Sequence, residues 1–400
     1  MKVAGLMSGT SMDGIDTAIL QVEGGGRGTP SALPDWKLLV FRTSPYSPAQ
    51  REQIRRAISG SAEDGCLAHA WLGEWLAGAL LEACQQGGLD PEELAGVGSH
   101  GHTLWHRPPS GTERGASLQV GCPATLAERT GVPVVSDLRA RDLAAGGHGA
   151  PLVGWADRIL FSHPEKARAV QNLGGMGNVT RLPAASEGAG DEAVLAFDTG
   201  PGVALLDRAA ELATGGREHF DRDGRLAFRG TPDGELLERL MGHPFFRRPP
   251  PRSTGREVFG DAMVRELSSH LEPGREEAWV DLLATLTELT ARSIADSYRK
   301  WVEPAGVDEV LLTGGGAANP ALVRAIREAL DPLPVRTGED LPLDPDAREA
   351  AAFALLAWAH LQGTPSTLVG ATGASGPRVL GSLTPGRAAA PGAGEREDRS

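Results

Sequence analysis

The chain has 400 residues, of which 40% are hydrophobic and 23% charged, with a formal net charge of −13. One hydrophobic core stops growing near ~250–300 residues, so this length predicts two domains. The acidic balance argues against binding to nucleic acid or an anionic membrane, since both require a basic surface.

No stretch is long enough to cross a bilayer. The longest strongly apolar run, 350–359, is bounded by Glu349 and His360, whereas a spanning helix needs about 18 residues. The apolar residues 3–7 run straight into Ser8, Gly9 and Thr10, which is not a secretory pattern. Cys66, Cys84 and Cys122 form no C-x-x-C pair, so the expected compartment is the cytoplasm.

In chain order, residues 2–7 read as a buried strand, 8–14 as a small polar turn, and 15–22 as a second strand closed by Gly24, Gly25 and Gly26. Residues 49–59 and 66–86 read as helices, the second with Leu67, Trp71, Trp75, Ala79 and Cys84 near helical spacing. Residues 95–101 read as a strand ending in a glycine turn, and 146–151 as a hinge. A second series begins with strand 169–173, glycine turn 174–178 and strand 179–182. It continues through a surface loop at 183–193 and a short strand at 194–197. A Pro/Arg break falls at 247–251, and 268–300 reads as one long helical stretch. Residues 309–316 are again a strand running into glycines, and 349–360 a helix. The same order of features in both halves predicts an internal duplication of an α/β unit. From residue 387 the composition predicts a disordered tail.

Several motifs carry chemistry. Small and hydroxyl residues at 8–16 leave backbone N–H groups facing an anion, and Asp13 and Asp16 offer oxygen to a divalent cation. An ordinary hairpin turn uses the same residue types. No G-x-x-x-x-G-K-[ST] occurs, which excludes a Walker-type phosphate loop. Residues 96–101 fit G-x-G-x-x-G, but Pro108 and Pro109 follow too soon for a dinucleotide-binding helix. His100, His102 and His106 suit a zinc site or polar contacts at a cleft. Asp198 follows a buried strand, as a general base or as a turn aspartate. Its D-T-G triplet has no second copy, which excludes a two-aspartate protease. Arg139 and Arg141, flanked by Asp137 and Asp142, can grip a carboxylate or form a solvated charge run.

The strings 5–16, 99–106, 146–153, 172–178, 197–202, 253–257, 314–320 and 372–375 occur in the order seen in anhydro-N-acetylmuramic acid kinases. The chain resembles that family from residue 3 to about 385. The resemblance implies an α/β fold of two duplicated actin/hexokinase-like (ribonuclease H-like) domains around a central cleft that closes over substrate. It places one domain at 1–137 plus about 346–386 and the other at 138–345. The implied reaction opens the 1,6-anhydro ring of 1,6-anhydro-N-acetylmuramic acid with water and phosphorylates O6 from ATP, as part of cell-wall recycling.

By the same resemblance, Asp198 is the catalytic base. Gly9, Thr10, Ser11, Met12, Asp13, Gly14, Ile15 and Asp16 bind ATP together with Gly314, Gly315 and Gly316. His100, Thr103, Arg139, Arg141 and Glu349 bind the sugar, and the Mg²⁺ ligands stay open, with Asp13 and Asp198 as the candidates. A homodimer is implied, with neither nucleic acid nor membrane as partner. The chain departs from the family at His102 and His148 (usually Gln), Val203 (usually Asn) and Ala140 (often Arg). These departures keep open a different amino sugar as substrate. A nucleotide-gated clamp without turnover is the third reading.

Overall fold

The computed structural model describes every residue except 10–11, 26–32, 110, 112, 189, 191–192 and 388–400. Thr10, Ser11 and the expected tail beyond Arg387 therefore lie outside the described residues. Contacts divide the chain into two compact units, 1–156 with 347–400, and 157–346.

The first unit begins with β1 (Lys2–Ser8), β2 (Gly14–Glu23) and β3 (Asp35–Pro45), an antiparallel meander. Two helices follow, α1 (Pro48–Ser59) and α2 (Ala62–Gly87). Each is opened by a reciprocal serine cap, Ser47 with Gln50 and Ser61 with Asp64. The chain returns as β4 (Leu94–Arg107), parallel to β1. The predicted glycine turn at 95–101 is not a strand end. Gly101 takes φ 68, and β4 bends there and runs on to Arg107, paired with β5 (Ala116–Val120). After α3 (Pro123–Thr130) comes β6 (Val134–Ser136), parallel to β4, and then α4 (Ala140–Ala144) and α5 (Val153–Phe161).

The second unit repeats the plan. β7 (Arg168–Leu173), β8 (Met176–Leu182) and β9 (Leu195–Pro201) form an antiparallel meander. Then come α6 (Ala204–Ala213), α7 (Gly234–Met241), α8 (Asp261–Leu267) and α9 (Val280–Ser297). β10 (Glu309–Thr313) lies parallel to β7, and after α10 (Pro320–Leu330) β11 (Val335–Arg336) lies parallel to β10. The strand order 11-10-7-8-9 matches 6-4-1-2-3 of the first unit, with the same parallel and antiparallel steps. The predicted duplication is present as topology.

Three expectations are corrected here. The stretch 268–300 is not one helix: Pro273 and Gly274 (φ 80) break it, and α9 begins only at Val280. Met176, Gly177 and Asn178 belong to β8, leaving Gly174 and Gly175 as the turn. The first unit extends to Ala156 where a boundary after 137 was expected. The cause is visible in the bonds: the His148 N–H reaches the Thr372 carbonyl at 2.8 Å, and the Ser375 N–H reaches that of Ala145 at 2.9 Å. Residues 146–151 are thus tied into the first unit.

The chain re-enters the first unit as α11 (Arg348–Gln362), α12 (Val369–Thr372) and β12 (Ser382–Thr384), which pairs with β6. α11 packs across β1, β4 and β2. It can come so close because Gly5 and Gly98, partners in the β1–β4 ladder, form a flat floor beneath it. A Cβ on Gly5 would stand 1.9 Å from the Ala350 carbonyl oxygen, and one on Gly98 2.0 Å from that of Phe353.

A strongly paired buried charge sits in the second unit. Glu309 opens β10 and accepts from Lys166 (3.0 Å), Arg168 (2.8 Å) and Arg336 (2.7 Å). Burial alone would raise its carboxyl, but the three cations overrule burial and hold it at about 2. Its folded pKa is depressed, so its stabilisation is full above the unfolded value of 4.5 and is lost as pH falls toward 2. Glu309→Gln should therefore cost about 3 kcal/mol at pH 7, and the difference from the parent protein should shrink toward pH 2. Urea melts at the two pH values check this, and an equal loss at both would refute it.

Candidate active site

In the first unit the chain turns back between Ser8 and Gly14. The Met12 N–H closes the turn on the Gly9 carbonyl at 3.1 Å, and Met12 itself sits at φ 59. A non-glycine residue held there is a strained conformation of the kind found at ligand-facing turns. Gly14 is required, because a Cβ would stand 2.5 Å from the Ser44 carbonyl oxygen. Ile15 lies in the core, so only its backbone can serve a ligand. Asp16 accepts the Thr43 hydroxyl at 2.6 Å, while Asp13 stands exposed at the tip.

Beneath this turn lies a buried relay. The Tyr46 hydroxyl meets Ser8 Oγ at 2.7 Å, and Ser8 Oγ meets His102 Nδ1 at 2.9 Å. Burial pushes Tyr46 up to about 12 and lowers His102, so both are neutral. His102 thus supports the end of β1 from below. Among the described residues, no three His, Cys, Asp or Glu side chains stand close enough to share a metal.

His100 works through Arg139. Burial, then the Arg139 charge, hold its ring well below the ordinary value, so it is neutral. Nε2 accepts from Arg139 Nη2 at 2.9 Å, which leaves Nδ1–H to donate to the Gly101 carbonyl at 3.0 Å. Both ring nitrogens are used within the chain, so His100 orients Arg139. The Arg139 Nη1 donates to the Gly149 carbonyl at 2.6 Å, and Nε has no partner among the described residues. Burial lowers Arg139 to about 10, against the charges of Glu349 and Asp142. Asp142, fully buried, anchors this corner by accepting the Gly149 N–H and the Thr372 hydroxyl, each at 2.7 Å. Arg139, His100 and Glu349 are therefore one group. Arg141 is exposed, and the Thr103 hydroxyl accepts from the Gln119 amide at 3.2 Å.

In the second unit the register assembles a row. Thr313 on β10 faces Asn172 on β7, Asn172 faces Asn178 on β8, and Asn178 faces Asp198 on β9. Directly opposed residues present their side chains on one sheet face. The row runs from the aspartate to Thr313, the last residue of β10, which leads into Gly314. Asp198 is not at a strand end, as expected, but within β9, an edge strand. Its Oδ2 accepts the Thr254 N–H at 2.8 Å. Burial pushes its carboxyl up to about 6, against the Thr254 bond and the Arg252 charge and with help from Glu257.

Gly314 takes φ 79, and a Cβ there would stand 2.4 Å from Asn172 Oδ1. A Cβ on Gly316 would stand 2.7 Å from Val203 Cγ1, while Gly315 is open. Val203 thus packs under the glycine turn. A cavity of about 350 Å³ opens beside it, lined by Ala317, Ala318, Pro320, Val323, Arg324 and Thr337.

Sequence reasoning missed Asn178, Arg252 and Asp207. Asp207, in the first turn of α6, is pushed up to about 7 by burial against the charge of Arg256. The only signal for Asn178 and Arg252 was their place inside the strings 172–178 and next to 253–257.

Two units with one strand order, a tight turn after β1 in the first and a raised aspartate in line with a glycine turn in the second, define a phosphotransferase of the duplicated α/β type. A family model described as anhydro-N-acetylmuramic acid kinase matches residues 1–386. The chain is 42% identical over 393 residues to an anhydro-N-acetylmuramic acid kinase of Caldanaerobacter subterraneus subsp. tengcongensis, covering 96% of each chain. It is 43% identical over 393 residues to that of Salinibacter ruber, again 96% of each. The chain belongs to the anhydro-N-acetylmuramic acid kinase family, and it is an ATP-dependent sugar kinase. Among solved structures it is similar to a ROK family glucokinase from Streptomyces griseus in complex with glucose and AMPPNP. That match has 11% identity and a TM-score of 0.39, covering 89% of this chain and 99% of that one.

Proposed function

We propose that the phosphorylation of 1,6-anhydro-N-acetylmuramic acid by this protein is coupled to hydrolysis of the anhydro bridge, with Asp198 as the base. The observation that carries this is Asp198 itself: a carboxylate held by one backbone N–H, raised to about 6 by burial, and in register with the Asn172–Asn178 row. Such a group is poised to take a proton near neutral pH. Water attacks C1 and yields one proton to Asp198. The C1–O6 bond breaks, O6 keeps the electron pair and attacks the γ-phosphorus, and the bond to ADP breaks. Asn178, opposite Asp198, supplies an amide to orient the water.

The 9–16 hairpin takes the phosphates, and the 314–316 turn with its adjoining cavity takes the nucleoside. The carboxylate of Asp13, exposed at the tip of this hairpin, offers hard oxygens that fit Mg²⁺, which keeps its waters and needs only one or two carboxylates. Bound there, it supplies charge neutralisation at the phosphates. Arg139, a largely enclosed cation whose Nε has no partner among the described residues, is the receptor for the sugar's carboxylate. Arg139→Ala should raise KM for the sugar by about 10–100-fold, the worth of a charged hydrogen bond, and leave KM for ATP near its parent value. Equal rises in both would refute the assignment. Three cysteines outside any disulfide support the cytoplasm, and a homodimer rests on the family.

The experiment is turnover in H₂¹⁸O with mass spectrometry. The product should be heavier than the substrate by one water and one phosphoryl group, with the label on C1. A product heavier by the phosphoryl group alone would sink the coupled reaction. Unlabelled C1 would sink the water attack.

A further inference from the structure

We propose that Arg252 is the positioning residue of the base, holding Asp198 on the open edge of the sheet. This rests on the reading of Asp198 given above.

β9 is an edge strand, so at Asp198 its outward N–H and C=O would meet solvent and leave the carboxylate free to swing. A three-residue strap, 252–254, occupies that edge. The Asp198 N–H donates to the Arg252 carbonyl at 3.1 Å, and Arg252 Nε donates to the Asp198 carbonyl at 2.9 Å. Two residues further on, the Thr254 N–H holds the carboxylate. The strap thus bonds both the backbone and the side chain of Asp198, and the Arg252 side chain fixes it to the Asp198 carbonyl.

The anchor is itself fixed. Arg252 is only 8% exposed. Its Nη1 donates to the Arg248 carbonyl at 2.9 Å and its Nη2 to Ser297 Oγ on α9 at 2.7 Å. The guanidinium lies 5.2 Å from the Phe197 ring centre and 4.9 Å from that of Phe245. None of these bonds goes to a carboxylate, so the plane of the fork, and not an ion pair, determines its place. Lysine has the charge but cannot reach three acceptors in one plane. The charges facing this corner are Arg252 and Glu257 toward Asp198, and Asp296 and Asp198 toward Arg252. The guanidinium is the cation among them that favours the ionised base.

The test compares Arg252→Met, Arg252→Lys and Ser297→Ala by pH profiles of kcat/KM for the anhydro sugar, KM for ATP, and melting. Arg252→Met should lower kcat at least about 100-fold, as for a misplaced reacting group. It should also move the acid limb of the profile to higher pH, with KM for ATP unchanged. Arg252→Lys should return the limb toward that of the parent protein but recover only part of kcat. Ser297→Ala, which loosens one prong, should lower kcat several-fold without unfolding. A folded Arg252→Met with the parent's limb and kcat would overturn the inference. If that variant does not fold, the other two decide: parent kcat in both overturns the proposal, and a kcat loss in Lys that outruns any loss of folded protein supports it. Asp198→Asn, run alongside, separates the two levels. Full turnover there would remove the base assignment, whereas an inactive Asp198→Asn with an unshifted Arg252→Met removes only the role of Arg252.

Discussion

Asp198→Asn should lower kcat by about 10³-fold, within the range for loss of a general base, while KM for ATP stays near its parent value. The wild-type kcat/KM should fall as pH drops through about 6, because the base acts only when ionised and burial raises its carboxyl to that value. The same shift makes a stability prediction of opposite sign. A carboxyl whose folded pKa lies above its unfolded value of 3.8 costs stability once pH exceeds 3.8, and the full cost is reached above about 6. Asparagine keeps an acceptor for the Thr254 N–H and removes the buried charge. The inactive variant should therefore melt at or above the parent temperature at pH 7, as expected where function is held at the expense of stability. A variant that loses activity and stability together would show misfolding, and retained turnover would remove Asp198 from the mechanism.

Gly98→Ala should cost about 3 kcal/mol or more, at the upper end for forced packing. The added methyl would stand 2.0 Å from the Phe353 carbonyl oxygen and 2.8 Å from its carbon. These are backbone atoms of α11, and no rotamer relieves them, so the helix must lift off the sheet. Gly5→Ala meets the same helix at 1.9 Å and should behave alike. α11 also carries Glu349, whose charge faces Arg139, so any soluble variant should bind the sugar more weakly. Urea unfolding midpoints and KM for the sugar check both parts. An unchanged midpoint would mean the sheet and α11 are not in backbone contact.

Features whose causes lie within a few residues could be read from the chain itself. The β1–β2 hairpin followed from small polar residues between two apolar runs. α1 and α2 were legible from their apolar spacing, but the start expected at 66 missed the Ser61–Asp64 cap that opens α2 at Ala62. The repeated order of strands and glycine turns announced the duplication, and the strings around Gly9, Asp198 and Gly314 pointed to the family. Pro273 and Gly274 were also legible, and the helix expected over them ignored both.

What stayed hidden depends on partners distant in sequence. His100 and Arg139 are 39 residues apart, and only the fold shows that the histidine serves the arginine. Asp142 and Thr372 are 230 apart, and their bond decides where the first unit ends. Asp198 reads locally as a strand end because D-T-G is turn-like. It lies within a strand because its ladder to β8 and the Arg252 strap, 54 residues away, supply partners that no local pattern records. Local backbone preference acts over a turn or two, so composition and spacing are enough to choose the elements. Which side chains meet, and with what charge and burial, is decided by register and packing, and the chemistry at Asp198 and Arg139 is set at that level.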